Sequence, residues 1–204
     1  MELHIRPAEL DDASFMVPLV NDADGGMPLA IWTSLAQPGE SPWDVGLRRI
    51  RSDDTPVSWS MGWIAEDGGR PVGVLIVHQL SETPEQLEAT IMSPLWVPFV
   101  ALELEASGSA YIKTLSVIEA MRGQGVGTQL LRFAERFRGP EGMSVIVGNH
   151  DQASRRFFER HLKPWAARFF ADLETADGAR FYQAVGLVGR TFVEIEAEAF
   201  AMDA

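Results

Sequence analysis

Arg122-Gly-Gln-Gly-Val-Gly-Thr128 is the stretch on which the fold turns. It follows a strand-like segment, Ser109-Ala-Tyr-Ile-Lys-Thr-Leu-Ser-Val117, and precedes a segment in which Leu130, Leu131, Ala134 and Phe137 fall on one helical face. Glycines let successive main-chain N–H groups approach a ligand, and the free amides at a helix N-terminus carry partial positive charge. The segment therefore reads as an anion cradle that fits a pyrophosphate. The competing reading is a tight turn that needs three glycines merely to change direction. Met143 to Val147 follows as a short buried strand. Strand, glycine loop, helix, strand is a βαβ unit with a parallel pair, which predicts a mixed α/β fold.

Upstream, Leu3-His-Ile-Arg6 alternates like a short strand, and Pro7 with Asp11-Asp12 supplies a turn and a cap for a helix toward Val20. Asn21-Asp-Ala-Asp-Gly-Gly26 ends that helix. A second helix is expected over 28–35, and a third after Ser41-Pro42-Trp43-Asp44, where serine caps and proline fills the first turn. Residues 57–66 and 72–80 are rich in Val, Ile and Trp around Asp67-Gly68-Gly69-Arg70, a hairpin signature. Residues 81–107 read as a long connection with some helix over 98–104. The similarity of Arg156-Phe-Phe-Glu159 to Arg180-Phe-Tyr-Gln183 reads as chance.

Composition narrows the function. The chain has 204 residues, 46% hydrophobic and 23% charged, as ordinary folded domains have. Seventeen Lys+Arg against 29 Asp+Glu give a net charge of −12, which argues against a general nucleic-acid binder. With no cysteine there is no disulfide, thiolate metal site or cysteine nucleophile. The first residues lack a signal-peptide pattern and no stretch approaches the ~20 apolar residues of a span, so a soluble cytoplasmic protein with no membrane partner is expected. No two histidines have metal-ligand spacing and no Gly-x-Ser-x-Gly elbow occurs, so neither metal nor serine-hydrolase chemistry is expected.

The loop lacks the Gly-Lys-Ser/Thr of a P-loop, since Thr128 follows Gly127 directly. Gly123 and Gly125 fit the dinucleotide fingerprint, but its sixth position is Thr128, which leaves a dinucleotide enzyme as a distant alternative. Arg-x-x-Gly-x-Gly opening a helix after a strand, here Arg122, Gly125 and Gly127, resembles the acyl-coenzyme A pyrophosphate loop of the GNAT superfamily of N-acetyltransferases. The hairpin 63–73, the strand 111–117 and Ser144-Val-Ile-Val147 fall in that family's order, and Asn21-Asp-Ala-Asp-Gly25, Trp32 and Pro42-Trp43-Asp44 look like its helical pair.

The resemblance implies an α/β (α+β) fold: one GNAT-like domain over 1–204, with a central mixed, mostly antiparallel sheet splayed at the cofactor site and flanking helices. It implies acetyl-CoA as acyl donor and an amine as acceptor. Backbone groups of Leu115 and Val117 would pair with the pantetheine amides. Arg122, Gly123, Gln124, Gly125, Val126, Gly127 and Thr128 would hold the pyrophosphate, with Arg122 as countercharge. Asn149, Asp151 and Phe158 would border the cofactor. Arg132, Arg136 and Arg138 form either a basic patch or a solvated face with Glu135.

Acetyl transfer needs a neutral amine, a polarised thioester carbonyl and usually an acid for the leaving thiolate. The family commonly supplies the acid as tyrosine on the helix after the fifth strand. Aligning 151–161 to that helix puts Asp151 where asparagine is usual and Phe158 where tyrosine is usual. Alternatively 175–187 is that helix and Tyr182 the acid. The first alignment is favoured, because Asp177-Gly178 suits a hairpin turn between strands over 165–173 and 179–185. Residues 191–196 are also strand-like, and sheet pairing there suggests a homodimer. Glu103 is the first candidate base and Glu119 the second. Lys113 is either a solvent-facing lysine or a group polarising the thioester. Asp22, Asp24, Trp32, Trp43 and Trp96 are candidates to line an amine pocket, whereas Trp59 and Trp63 are expected in the core. Phe158 also leaves open a non-catalytic acyl-coenzyme A-binding or regulatory module.

Overall fold

The computed structural model describes residues 3–80, 99, 102–104, 106–148 and 151–160, and the backbone of 168–174 and 180–188. These fall into two compact units, one built from 1–78 and 112–136, the other from 79–111, 137–174 and 178–204 as far as described.

The first unit begins with β1 (His4–Pro7) and a 3-10 turn, Leu10–Asp12, that leads into α1 (Ala13–Ala23). Asp12 is held at the turn because Arg6 forks onto it, with Nη1 and Nη2 donating to its two oxygens at 2.6 and 3.0 Å. The α1 helix runs past the expected end at Val20, and Gly25 (φ 63°) and Gly26 (φ 89°) then reverse the chain. Next come α2 (Met27–Leu35) and α3 (Pro42–Arg51), where the Ser41 hydroxyl accepts the Trp43 amide hydrogen at 3.3 Å as the cap anticipated. These helices bury Met16, Val20, Trp32, Val45 and Ile50 against Ile64, Val74 and Ile76. Full burial of each such aliphatic side chain contributes about 1.5–3 kcal/mol.

β2 (Gly62–Asp67) and β3 (Arg70–Gln79) form the expected hairpin, with Asp67 opposite Arg70 and both turn glycines at positive φ. The strand is shorter than the expected 57–66. Ser58 Oγ accepts the Ser60 amide hydrogen at 3.2 Å and turns Trp59–Met61 into a 3-10 segment, so local hydroxyl capping overrides the β propensity of Val57 and Trp59. β1 pairs antiparallel with β2, and β2 with β3. Within this unit the strand order is β1-β2-β3-β4, where β4 (Ala110–Val117) enters from the second unit at Ile112. α4 (Val126–Ala134) follows and buries Val126, Leu130, Leu131 and Ala134. Gly73 lets it come close, since a Cβ there would stand 3.1 Å from Leu130 Cδ1.

In the second unit the first residues of β4 pair in parallel with β5 (Met143–Gly148), Ala110 opposite Met143 and Tyr111 opposite Ser144. The hydroxyls of Ser109 and Ser144 share a buried 2.6 Å hydrogen bond there. α5 (Gln152–Glu159) follows β5 directly, and β6 (Arg168–Glu174) and β7 (Arg180–Val188) form an antiparallel hairpin. The favoured alignment therefore holds in its secondary structure: 152–159 is the helix after the fifth strand and 180–188 is strand. β7 also pairs antiparallel with β5, giving the order β4-β5-β7-β6. Residues 99 and 102–104 are helical, as expected for part of 98–104. The strand expected over 191–196 lies outside the described residues. The fold is thus of the α/β (α+β) class, with mixed, mostly antiparallel strand pairing and flanking helices. Among the described residues, no helix is long and apolar enough to cross a membrane.

Candidate functional site

β4 ends where the Ile118 amide donates to Val72 O at 3.0 Å, and a 3-10 turn, Glu119–Met121, carries the chain to Arg122, whose amide donates to Glu119 O at 3.1 Å. Beyond this braced corner the glycines begin. Gly123 and Gly125 sit at φ 72° and 86°, left-handed values that L side chains rarely adopt, and no atom lies within 4 Å of where either Cβ would stand. Gly125 caps α4, and the Gln129 amide donates to its carbonyl at 3.1 Å. The amides of Val126, Gly127 and Thr128 precede that first helical bond and belong to the unpaired donors of every helix start. Val126, 1% exposed, pins the helix start into the core, while Gln124 folds its side chain back to donate to Ala120 O at 2.8 Å. Gly123, Gln124 and Gly125 are exposed there, with a glycine on either side of Gln124. That arrangement suits a diphosphate, because a helix start brings several unpaired donors together.

Arg122 is not directed wholly to that cradle. Its Nε donates to Val117 O at 3.0 Å and its Nη2 to the Asp22 carboxylate, which also accepts from Ser116 Oγ at 3.4 Å. Asp22, read as a pocket candidate, is thus the partner of the loop's own cation. Arg132 and Arg136 are exposed on and just beyond α4, and Arg136 stacks over the Phe133 ring at 4.6 Å. Phe133 in turn packs on Trp63 at 4.7 Å between ring centres.

Along β4, Leu115 is half-buried and Val117 nearly buried. Thr114 is 1% exposed, and among the described residues its Oγ1 has no hydrogen-bond partner. Burial pushes the Asp24 carboxyl up, with the Lys113 charge pulling it back, and burial together with Lys113 pushes His78 down to about 4. The Lys113 charge thus acts on both Asp24 and His78, a relation that sequence reading missed because no spacing connects the three residues. Glu119 is exposed. Trp32 is a core residue at 2% exposure rather than a pocket wall, and exposed Trp43 meets its edge at 6.0 Å. Trp59 packs partly buried against the core as expected, and Trp96 lies outside the described residues.

In the second unit Asp151 caps α5, its Oδ1 accepting the amide hydrogens of Ala153 and Ser154 at 3.1 and 2.9 Å. Phe158 is buried at 6% exposure and meets Phe157 edge-on at 5.1 Å. Glu103 is half-buried in the short helical segment. Tyr182 stands in β7 opposite Asp172. Asn149 lies outside the described residues. Among those described, no group of acidic or histidine side chains is arranged to hold a metal ion.

Comparison with known proteins bears on this site. No curated protein sequence matches the chain. Solved structures match over nearly the whole chain. An N-acetyltransferase from Staphylococcus aureus covers 91% of this chain and 98% of its own, at 14% identity and a TM-score of 0.58. An agmatine N-acetyltransferase mutant in its apo form covers 92% and 98%, at 14% identity and 0.56. A diaminobutyrate acetyltransferase from Paenibacillus lautus, in complex with L-2,4-diaminobutyric acid and coenzyme A, covers 96% and 99%, at 18% identity and 0.53. At these identities the likeness is one of fold. The model of the acetyltransferase (GNAT) family matches residues 29–163, well over half the chain and inclusive of the glycine loop. With that match over most of α2 and across α3, the hairpin, the anion cradle and α5, the chain belongs to the acetyltransferase (GNAT) family.

Proposed function

We propose that this protein transfers an acyl group, acetyl foremost, from acyl-coenzyme A to the amine of a small molecule or peptide, by direct attack of the amine on the thioester carbonyl. The observation that carries the reading is the glycine-capped start of α4 that follows β4, with Gly123 and Gly125 exposed and open where a Cβ would stand. Acetyl-CoA fits it through charge and shape: the diphosphate at the amides of Gly123 to Thr128, and the pantetheine amides against the backbone of Leu115 and Val117. Parallel pairing of β4 with β5 engages Ala110 and Tyr111, and β4 continues to Val117 beyond them. In this reading Asn149, Asp151 and Phe158 border the cofactor and Glu103 takes the proton of the attacking amine; Tyr182, which lies on the strand β7 and not on the helix after the fifth strand, is the remaining candidate to protonate the departing thiolate. Residues 1–204 act as one cytoplasmic acetyltransferase domain without a metal, with sheet pairing near the C-terminus giving a homodimer.

Calorimetric titration with acetyl-CoA tests the binding half, and absence of affinity at millimolar ligand ends the reading. Thiol release over a panel of amines tests transfer. A second reading, a non-catalytic acyl-coenzyme A-binding module, is favoured by Phe158 standing where the family commonly has tyrosine. Binding without turnover across the panel would decide for it. Tyr182→Phe locates the acid: a fall in kcat with an unchanged KM for acetyl-CoA assigns it to Tyr182, and an unchanged kcat removes Tyr182 from the mechanism.

A further inference from the structure

We propose that Asp22 is a positioning residue for acyl-coenzyme A binding: by holding Arg122 it lets the turn between α1 and α2 set the conformation of the anion cradle. The proposal rests on the function proposed above. Arg122 is the junction between a braced corner and a more loosely held loop. Before it, the amides of Ile118, Met121 and Arg122 are all hydrogen-bonded, to Val72, Ile118 and Glu119. After it, Gly123 and Gly125 impose little restraint of their own and the Gln124 side chain ties back to Ala120 O at 2.8 Å, so the direction in which the loop leaves Arg122 depends strongly on what holds that residue.

Two acceptors do so, Val117 O for Nε and the Asp22 carboxylate for Nη2. The Asp22 side is itself rigid. The Gly25 and Gly26 amides donate to Asp22 O and Asn21 O at 3.1 and 2.9 Å, and Asn21 Oδ1 accepts the Leu29 amide hydrogen at 2.8 Å, closing the α1–α2 turn on itself. The ion pair therefore ties a stiff turn to the first residue of a pliant one.

Its exposure separates positioning from stability. The two side chains are 53% and 52% exposed, so the pair adds little to global stability. It also neutralises the guanidinium that would otherwise serve as countercharge, which leaves the grip on a diphosphate to main-chain amides whose placement matters to a fraction of an ångström.

The test titrates the full chain with acetyl-CoA and measures KM and kcat with an amine that the panel shows to be accepted. Asp22→Asn, which keeps the size and loses the charge, weakens acetyl-CoA binding about fivefold. It raises KM for acetyl-CoA in proportion and leaves kcat and the thermal midpoint near wild type. Asp22→Glu recovers most of the affinity, and Asp22→Asn adds no further loss to Arg122→Ala. Wild-type affinity in Asp22→Asn, or full additivity with Arg122→Ala, overturns the proposal. Tighter binding in Asp22→Asn overturns it too and makes Asp22 a competitor of the diphosphate for Arg122. If the wild type itself does not bind acetyl-CoA, the function proposed above fails and this inference falls with it. A normal wild type beside an unaffected Asp22→Asn sinks the inference alone.

Discussion

Arg122 and Asp22 stand 100 positions apart and share an ion pair. A residue expected to meet a ligand's phosphates is thereby engaged by the protein's own carboxylate, and the same guanidinium fastens the end of β4 through Val117 O. The anion cradle is a main-chain device framed by side chains. Its cation belongs to the frame.

Gly125 is the position where this device is most vulnerable. A Cβ would meet no atom within 4 Å, so sterics against neighbours are not the cost; the cost is the φ of 86°. Forcing an L residue into that region takes roughly 1–2 kcal/mol. Gly125→Ala is expected to relieve the strain by moving the helix start, losing about tenfold in acetyl-CoA affinity by calorimetry while the far-ultraviolet spectrum of the fold persists. Unchanged affinity would mean that the cradle does not depend on the left-handed cap.

Much of this was legible because it is local. Gly68 and Gly69 mark the β2–β3 hairpin, Ser41 the start of α3, and three glycines after a strand the start of α4, each through backbone chemistry confined to a few residues. The start of β2 was misread for a local reason as well, the hydroxyl of Ser58 capping a 3-10 turn inside a stretch of β-formers. Arg156-Phe-Phe-Glu159 and Arg180-Phe-Tyr-Gln183 show the limit of letters alone, since the first is helix and the second strand. Pairings over long separations were not legible. Nothing in the spacing of Asp22, Ser116 and Arg122 announces their convergence, and the core position of Trp32 depends on a glycine fourteen residues on.

That glycine supports a sharp expectation. A Cβ on Gly46 would come within 2.7 Å of two ring carbons of Trp32, a side chain 2% exposed and unable to retreat. Overpacking of this kind costs about 1–3 kcal/mol. Gly46→Ala should lower the thermal midpoint by roughly 2–10 °C for a chain of this size. Pairing it with Trp32→Phe should recover part of the loss, and a lone Gly46→Ala melting at the wild-type temperature would refute the packing argument.

Thr114 offers the opposite sign. Its hydroxyl is buried and has no partner among the described residues, and such a group is less stable in the interior than in water by about 1–3 kcal/mol. Thr114→Val keeps the shape, removes the hydroxyl and suits a strand. Without ligand the variant should melt about 2–4 °C above wild type. A fall in the melting temperature would reveal that the hydroxyl is satisfied in solution.

His78 ties the electrostatics of the first unit to pH. Burial foremost, and the Lys113 charge after it, push its pKa from 6.5 down to about 4. In the unfolded chain the imidazole takes up a proton below about 6.5, whereas in the folded chain it resists until about 4, so over that window the unfolded state binds more protons. Stability therefore falls as pH falls from about 6.5 toward 4, by up to about 3 kcal/mol from this group alone. Other groups share the acid range, among them Glu40, held down by Arg48. Asp12 and Glu66, held down by Arg6, lose their contribution below the usual carboxylate range. Asp24, pushed up by burial, works in the reverse direction. The readout is accordingly a difference: urea unfolding of wild type and His78→Gln at pH 7, 6 and 5. Wild type should lose stability faster between pH 6 and 5 than the variant, whose carboxylates are the same. Parallel curves for the two proteins would show that His78 titrates normally in the folded chain.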